Sequence, residues 1–362
     1  MNTNHCYCII MAGGEGRRLW PESRKYRPKQ FIDFFGTGRT LLQQTFDRFA
    51  ALLPTDHIFV STYKDYSEMV KEQLPEVPQE NILLEPVQLS TAPAAVWANY
   101  HISLHDPEAV VVLTPADQQI IYADRFQTEI AKGLAYVATH PVFVAMGAPA
   151  TVPNTAYGYI QMGDTVEQGL LHRVKSFQEK PAMDYARLFV ESGEFMWNTG
   201  IFLWHVRTMR DFMQQLTPDV AEVFEKAHAN LTHSEEMRLV GDIYPARLNR
   251  GIDLMLLDQS KDVLVYECDF GWSDVGCWTE LYEVAHKDFD GNAVLGHGRV
   301  LLSGCSRNVV VMPEGKAAVI KGLEGFLVAE RDGVLVICPN NDPKTVRRLA
   351  DEAMVKLGED VL

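Results

Sequence analysis

The chain has 362 residues, 47% of them hydrophobic and 22% charged, the balance of a folded globular protein with room for one large domain and a smaller one. Its formal net charge of −15 argues against general affinity for nucleic acid or anionic membrane. The longest apolar runs, such as 109–113 and 309–312, fall far short of the roughly 20 residues that cross a bilayer, and no basic stretch precedes an apolar one at the N-terminus.

In chain order, the apolar run Cys6–Ala12 reads as a strand, and Gly13-Gly14-Glu15-Gly16 follows it at once. Cys6 and Cys8 alternate on one face of that strand. None of the six cysteines shows Cys-x-x-Cys or zinc spacing, so buried, reduced thiols and a cytoplasmic location are expected. Between Glu15 and Lys29 lie Arg17, Arg18, Arg24, Lys25, Arg27 and Lys29 against only Glu15 and Glu22. Such a basic, Gly- and Pro-rich segment after a strand points to a bound phosphate.

Helical spacing over 40–52, 63–74, 91–104 and 125–139 alternates with strands at 57–61, 81–85, 109–114 and 141–147. This alternation predicts an α/β fold with a Rossmann-like, mostly parallel sheet covered on both faces. Ligands then bind at the carboxyl ends of the strands, where loops 12–30, 85–93 and 114–118 should converge. From about Ala156 longer β segments appear at 157–162, 173–178 and 195–204, with helices at 183–191, 206–216 and 220–229, which reads as a mixed β insert. Residues 291–339 are short β runs with Gly turns, followed by a helix at 343–357. The predicted division is a large α/β domain at 1–287 and a small β-rich domain at 288–362, its turns compatible with a short β-helix.

The glycines of 13–16 let the main chain approach a phosphate closely and offer its N–H groups as an anion nest. No Gly-Lys-Ser/Thr follows, so this is not a Walker A loop, and Leu19 occupies the place of the third Rossmann glycine. The continuation through Pro21, Ser23, Arg24 and Pro28-Lys29-Gln30-Phe31 resembles the signature of sugar-phosphate nucleotidyltransferases. It is most similar to the mannose-1-phosphate guanylyltransferase branch. Glu85-Pro86 with Thr91-Ala92-Pro93, Pro115-Ala116-Asp117, Tyr157-Gly158-Tyr159, Phe177-Gln178-Glu179-Lys180-Pro181, Trp197-Asn198-Thr199-Gly200, Gly251-Ile252-Asp253 and Phe270-Gly271-Trp272-Ser273-Asp274-Val275-Gly276 follow in the order of that family.

The resemblance implies transfer of a nucleotidyl group from GTP to mannose 1-phosphate, giving GDP-mannose and pyrophosphate. It implies Arg18 and Lys29 on the triphosphate, Lys180 on the sugar phosphate, and Asp117 and Asp274 on Mg²⁺. Ala12, Gly13, Gly14, Gly16, Glu85, Thr91 and Ala92 would hold the nucleotide, and Gly158, Glu179 and Asn198 the sugar. A homo-oligomer is expected on the same grounds. Taken singly, Asp117 and Asp253 would serve as turn or cap residues, and Trp197 and Trp272 as core packing. The chain departs from the family pattern at Gln118, where His is usual, at Leu89-Ser90, where Arg-Asn is usual, and at Lys25-Tyr26-Arg27. Alternatives are another base, a related manno-configured sugar, or a non-catalytic nucleotide-sugar sensor that would dispense with the cations and carboxylates retained here. The isomerase domain fused to some relatives has no counterpart, so one activity is expected.

Overall fold

The computed structural model of the chain describes residues 3–166, 170–227, 235–236, 238, 240 and 249–362. The chain divides into two compact units with interleaved segments: 1–13, 46–115 and 120–272 form one, and 14–45, 116–119 and 273–362 the other.

The first unit is built on a nine-stranded sheet in the order 82–85, 58–63, 6–11, 110–115, 195–205, 143–149, 263–267, 171–178, 159–165. Strands Cys6–Met11, Ile58–Tyr63, Ile82–Glu85 and Val110–Pro115 pair in parallel, with Cys8 opposite both Ile58 and Val112. Their sequences are continuous apolar runs because helices cover both faces. Val110 through Leu113 are buried without alternation. Helix Thr91–His105 is buried from Ala92 to Ser103, as a helix apolar on all sides must be, and packs on strands 6–11 and 58–63.

The mixed β segments expected as an insert extend this same sheet. Phe195–His205 runs antiparallel between Val110–Pro115 and Phe143–Pro149, and Tyr159–Thr165, paired with Leu171–Gln178, also pairs back antiparallel onto the start of Phe195–His205, with Tyr159 opposite Trp197. The carboxyl ends of the parallel strands therefore share one edge, where Ala12, Tyr63, Glu85 and Gly147 lie. Helix Val206–Leu216 has its expected bounds, whereas the one expected at 220–229 is seen as Pro218–Ala227, and 228–229 lie outside the described residues. No described helix is long and apolar enough to cross a membrane.

In the second unit, Ala293–Leu295, Val309–Val311 and Phe326–Arg331 stack in parallel register on one face, and Arg299–Ser303 with Ala317–Lys321 on another. These are the coils of a short β-helix, closed by the antiparallel strand Val334–Pro339. Stacked asparagines hold the turns: Asn308 Nδ2 donates to Asn292 Oδ1 at 2.9 Å and to the Leu323 carbonyl at 2.9 Å. The core of this unit joins Leu19, Trp20 and Ile32 to Trp278, Leu281, Val309 and Leu327. The segment that carries the glycine-rich loop is thus packed on the same core as the β-helix and helix Thr345–Leu357.

Candidate active site

In the second unit the glycine-rich loop enters two single turns, Arg17–Leu19 and Lys29–Phe31. Gly16 has a φ of +67°, and a Cβ there would sit 2.6 Å from Ser23 Oγ and 2.8 Å from Lys29 Cγ, so only glycine fits. Ser23 Oγ donates to the Glu15 carbonyl at 2.9 Å and Gln30 Nε2 to the Gly14 carbonyl at 3.0 Å, which fixes the path of the loop. Lys29 is buried. Its Nζ donates to the Val275 carbonyl at 3.2 Å and ion-pairs with Asp117. Val275 N–H in turn donates to the Asp117 carbonyl at 3.3 Å, which ties the Asp117 segment to the one carrying Asp274.

Arg18, Asp274 and Glu280 close around Gly276. A Cβ on that glycine would lie 2.6 Å from Arg18 Nη2, 2.6 Å from Asp274 Oδ2 and 2.8 Å from Glu280 Oε2. Burial alone would lower the Arg18 and Lys29 pKa values. The surrounding carboxylates outweigh it, Asp274 first for Arg18 and Asp117 first for Lys29, so both lie above their ordinary values and both groups stay charged. Glu280 accepts the Gly276 N–H at 2.9 Å through Oε2. Its Oε1 is buried with no hydrogen-bond partner among the described residues. Burial, reinforced by Asp274 and opposed by Arg18, pushes its pKa up to about 7.

The excess of cations in the 15–29 segment does not face one anion. Arg17 pairs with Asp351 at 2.7 Å, and Arg27 lies 3.4 Å from Glu22, a buried carboxylate that Arg331 also grips at 2.7 Å. Arg24 donates to the carbonyls of Pro21, Val361 and Arg331 at 3.1, 3.1 and 2.8 Å. Of the six expected cations, Arg18 and Lys29 alone join the carboxylate cluster just described.

In the first unit, Ala12 N–H donates to the Ser61 carbonyl and Thr62 Oγ1 to the Ala12 carbonyl, both extending the sheet edge. A Cβ on Gly13 would approach Glu85 Oε1 to 3.0 Å, and Gln88 Nε2 donates to the Gly13 carbonyl at 3.1 Å. Thr91 and Ala92 open the buried helix and are held from one segment: Thr91 Oγ1 accepts Ile252 N–H at 2.9 Å, and Ala92 N–H donates to the Arg250 carbonyl at 3.1 Å.

Further along the same sheet, Asn198 pairs with Gly147 in the ladder, its N–H donates to the Gly158 carbonyl at 2.8 Å, and its Nδ2 donates to Asp253 Oδ1 at 2.7 Å. Burial raises the Asp253 pKa while the Asn198 hydrogen bond opposes the rise. A Cβ on Gly158 would come within 2.8 Å of the Phe177 ring and 2.9 Å of Glu179 Oε2. Glu179 Oε1 accepts from Lys180 Nζ at 2.5 Å. Lys180 itself adopts φ +44°, a left-handed conformation that non-glycine residues rarely take, in front of Pro181. Trp197 and Trp272 pack edge-on against Tyr157 and are almost wholly buried, as core residues.

Glu280, Gly276 and Asp253 were not singled out among the candidate site residues from sequence. Glu280 lies on the short helix Trp278–Val284 with a second acidic residue, Glu283, and nothing in the sequence tells the buried one of the two from the other. Gly276 stands inside a motif read for Asp274, Asp253 is weighed from sequence as a helix cap, and only the fold shows what surrounds them.

A family model described as "Nucleotidyl transferase" matches residues 7–291. An alginate biosynthesis protein AlgA from Pseudomonas putida is 34% identical over 94% of this chain and 70% of its own length. A mannose-1-phosphate guanylyltransferase from Escherichia coli is 32% identical over 91% of this chain and 70% of its own length. A solved structure from Thermus thermophilus, described as mannose-1-phosphate geranyltransferase, superposes with a TM-score of 0.85. It is 28% identical and covers 96% of this chain and 99% of that one. The long matched span, the shared sheet and the charged cluster on the glycine-rich loop agree on one assignment: this chain belongs to the nucleotidyl transferase family.

Proposed function

We propose that the protein transfers a guanylyl group from GTP to mannose 1-phosphate, releasing pyrophosphate, and that it acts in the cytoplasm, where its six free, buried thiols suit a reducing compartment. The observation that carries this reading is the buried meeting of Lys29 with Asp117 beside Arg18, Asp274 and Glu280. Two polyanions must touch for the sugar phosphate to attack the α-phosphorus in line, so charge neutralisation and alignment are the chief tasks of the protein.

Arg18 and Lys29 stay protonated through their carboxylate neighbours, and Lys29 is also anchored on the Val275 carbonyl, so they would hold positive charge where pyrophosphate departs. Ala12, Gly13, Gly14 and Gly16 would admit the phosphates close to the main chain, and Glu85, Thr91 and Ala92 would face the nucleoside. Gly158, Glu179 and Asn198 would orient the sugar, with Asp253 fixing the Asn198 amide so that its carbonyl and amide ends are distinguished. Lys180 would meet the sugar phosphate, exchanging its contact with Glu179 for one with the substrate.

The carboxylates suit Mg²⁺. Asp117 and Asp274 offer hard oxygen donors, and among the described residues no three His, Cys, Asp or Glu side chains form a site for a metal by themselves. An ion that takes its other ligands from phosphate oxygens and water is the usual habit of Mg²⁺. When bound it would neutralise phosphate charge and polarise the reacting centre.

Four nucleoside triphosphates assayed against several sugar 1-phosphates, with pyrophosphate release as the readout, test the proposal. Preference for GTP with mannose 1-phosphate supports it. Faster release with another pair moves the substrate assignment, and tight binding of GDP-mannose without any turnover would establish the sensor instead.

A further inference from the structure

A cavity of about 240 Å³ opens in the second unit beside the glycine-rich loop, and none of its lining residues is among those assigned to substrate or metal above. Its lining includes Glu15, Arg17, Trp20, Ser23, Arg24 and Lys25. The space is many times the roughly 15 Å³ that one water needs.

Arg24 is the telling residue. It is 3% exposed, yet every group its guanidinium donates to is a neutral backbone carbonyl, and no ion pair involves it among the described residues. A buried cation with no ion-pair partner is a ready receiver for an anion that can approach it. Lys25 is exposed and likewise has no ion pair among the described residues. Arg17 has Asp351 as partner but remains a third accessible. Glu15 is the one acidic side chain among the lining residues, 4.0 Å from Arg17. The indole N–H of Trp20 is taken by the Val361 carbonyl at 2.8 Å, which fixes the ring as a wall.

We propose that this cavity binds a small phosphate-bearing anion, at a site separate from the Arg18–Lys29 cluster. Guanidinium groups suit such a ligand because their planar fork meets two phosphate oxygens at once. Arg17 and Arg18 are consecutive in one short turn, with Arg17 lining the cavity and Arg18 beside Asp274. An anion that draws Arg17 from Asp351 therefore acts on the turn that presents Arg18.

Protein labelled with 5-fluorotryptophan, with the Trp20 fluorine resonance assigned through Trp20→Phe, is titrated with inorganic phosphate and, separately, with glycerol 3-phosphate at constant ionic strength. The Trp20 resonance is expected to shift saturably with at least one of them, the stronger response telling free ion from phosphate ester. Lys25→Glu and Arg17→Ala should each raise the half-saturating concentration about tenfold, the loss of one charge-assisted contact. Neither residue lies in the proposed catalytic cluster, and Lys25→Glu, on an exposed side chain, serves if Arg17→Ala folds poorly. A Trp20 resonance that does not move, that moves equally with chloride, or that titrates identically in both variants overturns the proposal.

Discussion

Arg18 and Glu280 approach the backbone of Gly276 from two elements far apart in the sequence, and Glu280 also holds the Gly276 N–H. A carboxyl in this position is protonated more readily than in the unfolded chain, because burial and Asp274 raise its pKa to about 7. A raised acid pKa means that the native state keeps a proton the unfolded state has lost. Stability from this group is present below the unfolded value near 4.5 and falls as pH rises to about 7. Glu280→Gln removes that slope. Its unfolding free energy from urea melts, relative to the parent, should gain on the order of 2 kcal/mol between pH 5 and pH 8. An identical pH dependence in both proteins would refute the assignment.

Asp117→Asn and Asp274→Asn are nearly isosteric, so the fold should persist by circular dichroism. Each should lower kcat for pyrophosphate release by at least about a hundredfold, the scale of losing a main electrostatic stabiliser. Asp117→Asn carries a further effect, since it deprives the buried Lys29 of its ion pair. Near-parental turnover in the folded double variant would remove both residues from the reaction.

Gly276→Ala places a methyl group at 2.6 Å from Arg18 Nη2 and from Asp274 Oδ2. Overpacking of this kind costs about 1–3 kcal/mol. Arg18 or Asp274 must then move, and kcat should fall at least about tenfold with an intact fold. Thermal melts and steady-state kinetics on one preparation separate the two effects. Alanine at Gly14, where nothing lies within 4 Å of an added Cβ, is the matched control for stability.

Lys180 separates strain from charge. Its left-handed backbone costs a non-glycine residue about 1–2 kcal/mol, so Lys180→Gly should be no less stable than the parent. The same variant lacks the ammonium and should raise the KM for the sugar 1-phosphate about tenfold or more, while the KM for the nucleotide holds. A variant that loses stability instead would show that the Glu179 contact matters more than the strained turn.

The parallel sheet was legible because Val110–Leu113 and its neighbours are apolar without interruption, and burial on both faces is a local, periodic property. Gly16 was legible as a loop glycine for a similar reason, since its positive φ is a requirement of one residue and its near neighbours. The cations of the same loop were not separable by residue type, and only the motif resemblance set Arg18 and Lys29 apart. Arg18 and Arg17 are adjacent and chemically identical, and which of them meets Asp274 and which meets Asp351 depends on how residues 273–362 pack on Leu19 and Trp20.

Composition, order of elements and motif chemistry were thus decided by the chain itself, because each rests on contacts between residues close in sequence. The partners of Lys29, the burial of Glu280 and the carbonyl partners of Arg24 on Val361 and Arg331 were decided by tertiary structure alone. A charge is tuned by whatever lies within a few ångströms of it, and folding draws those neighbours from distant stretches of chain.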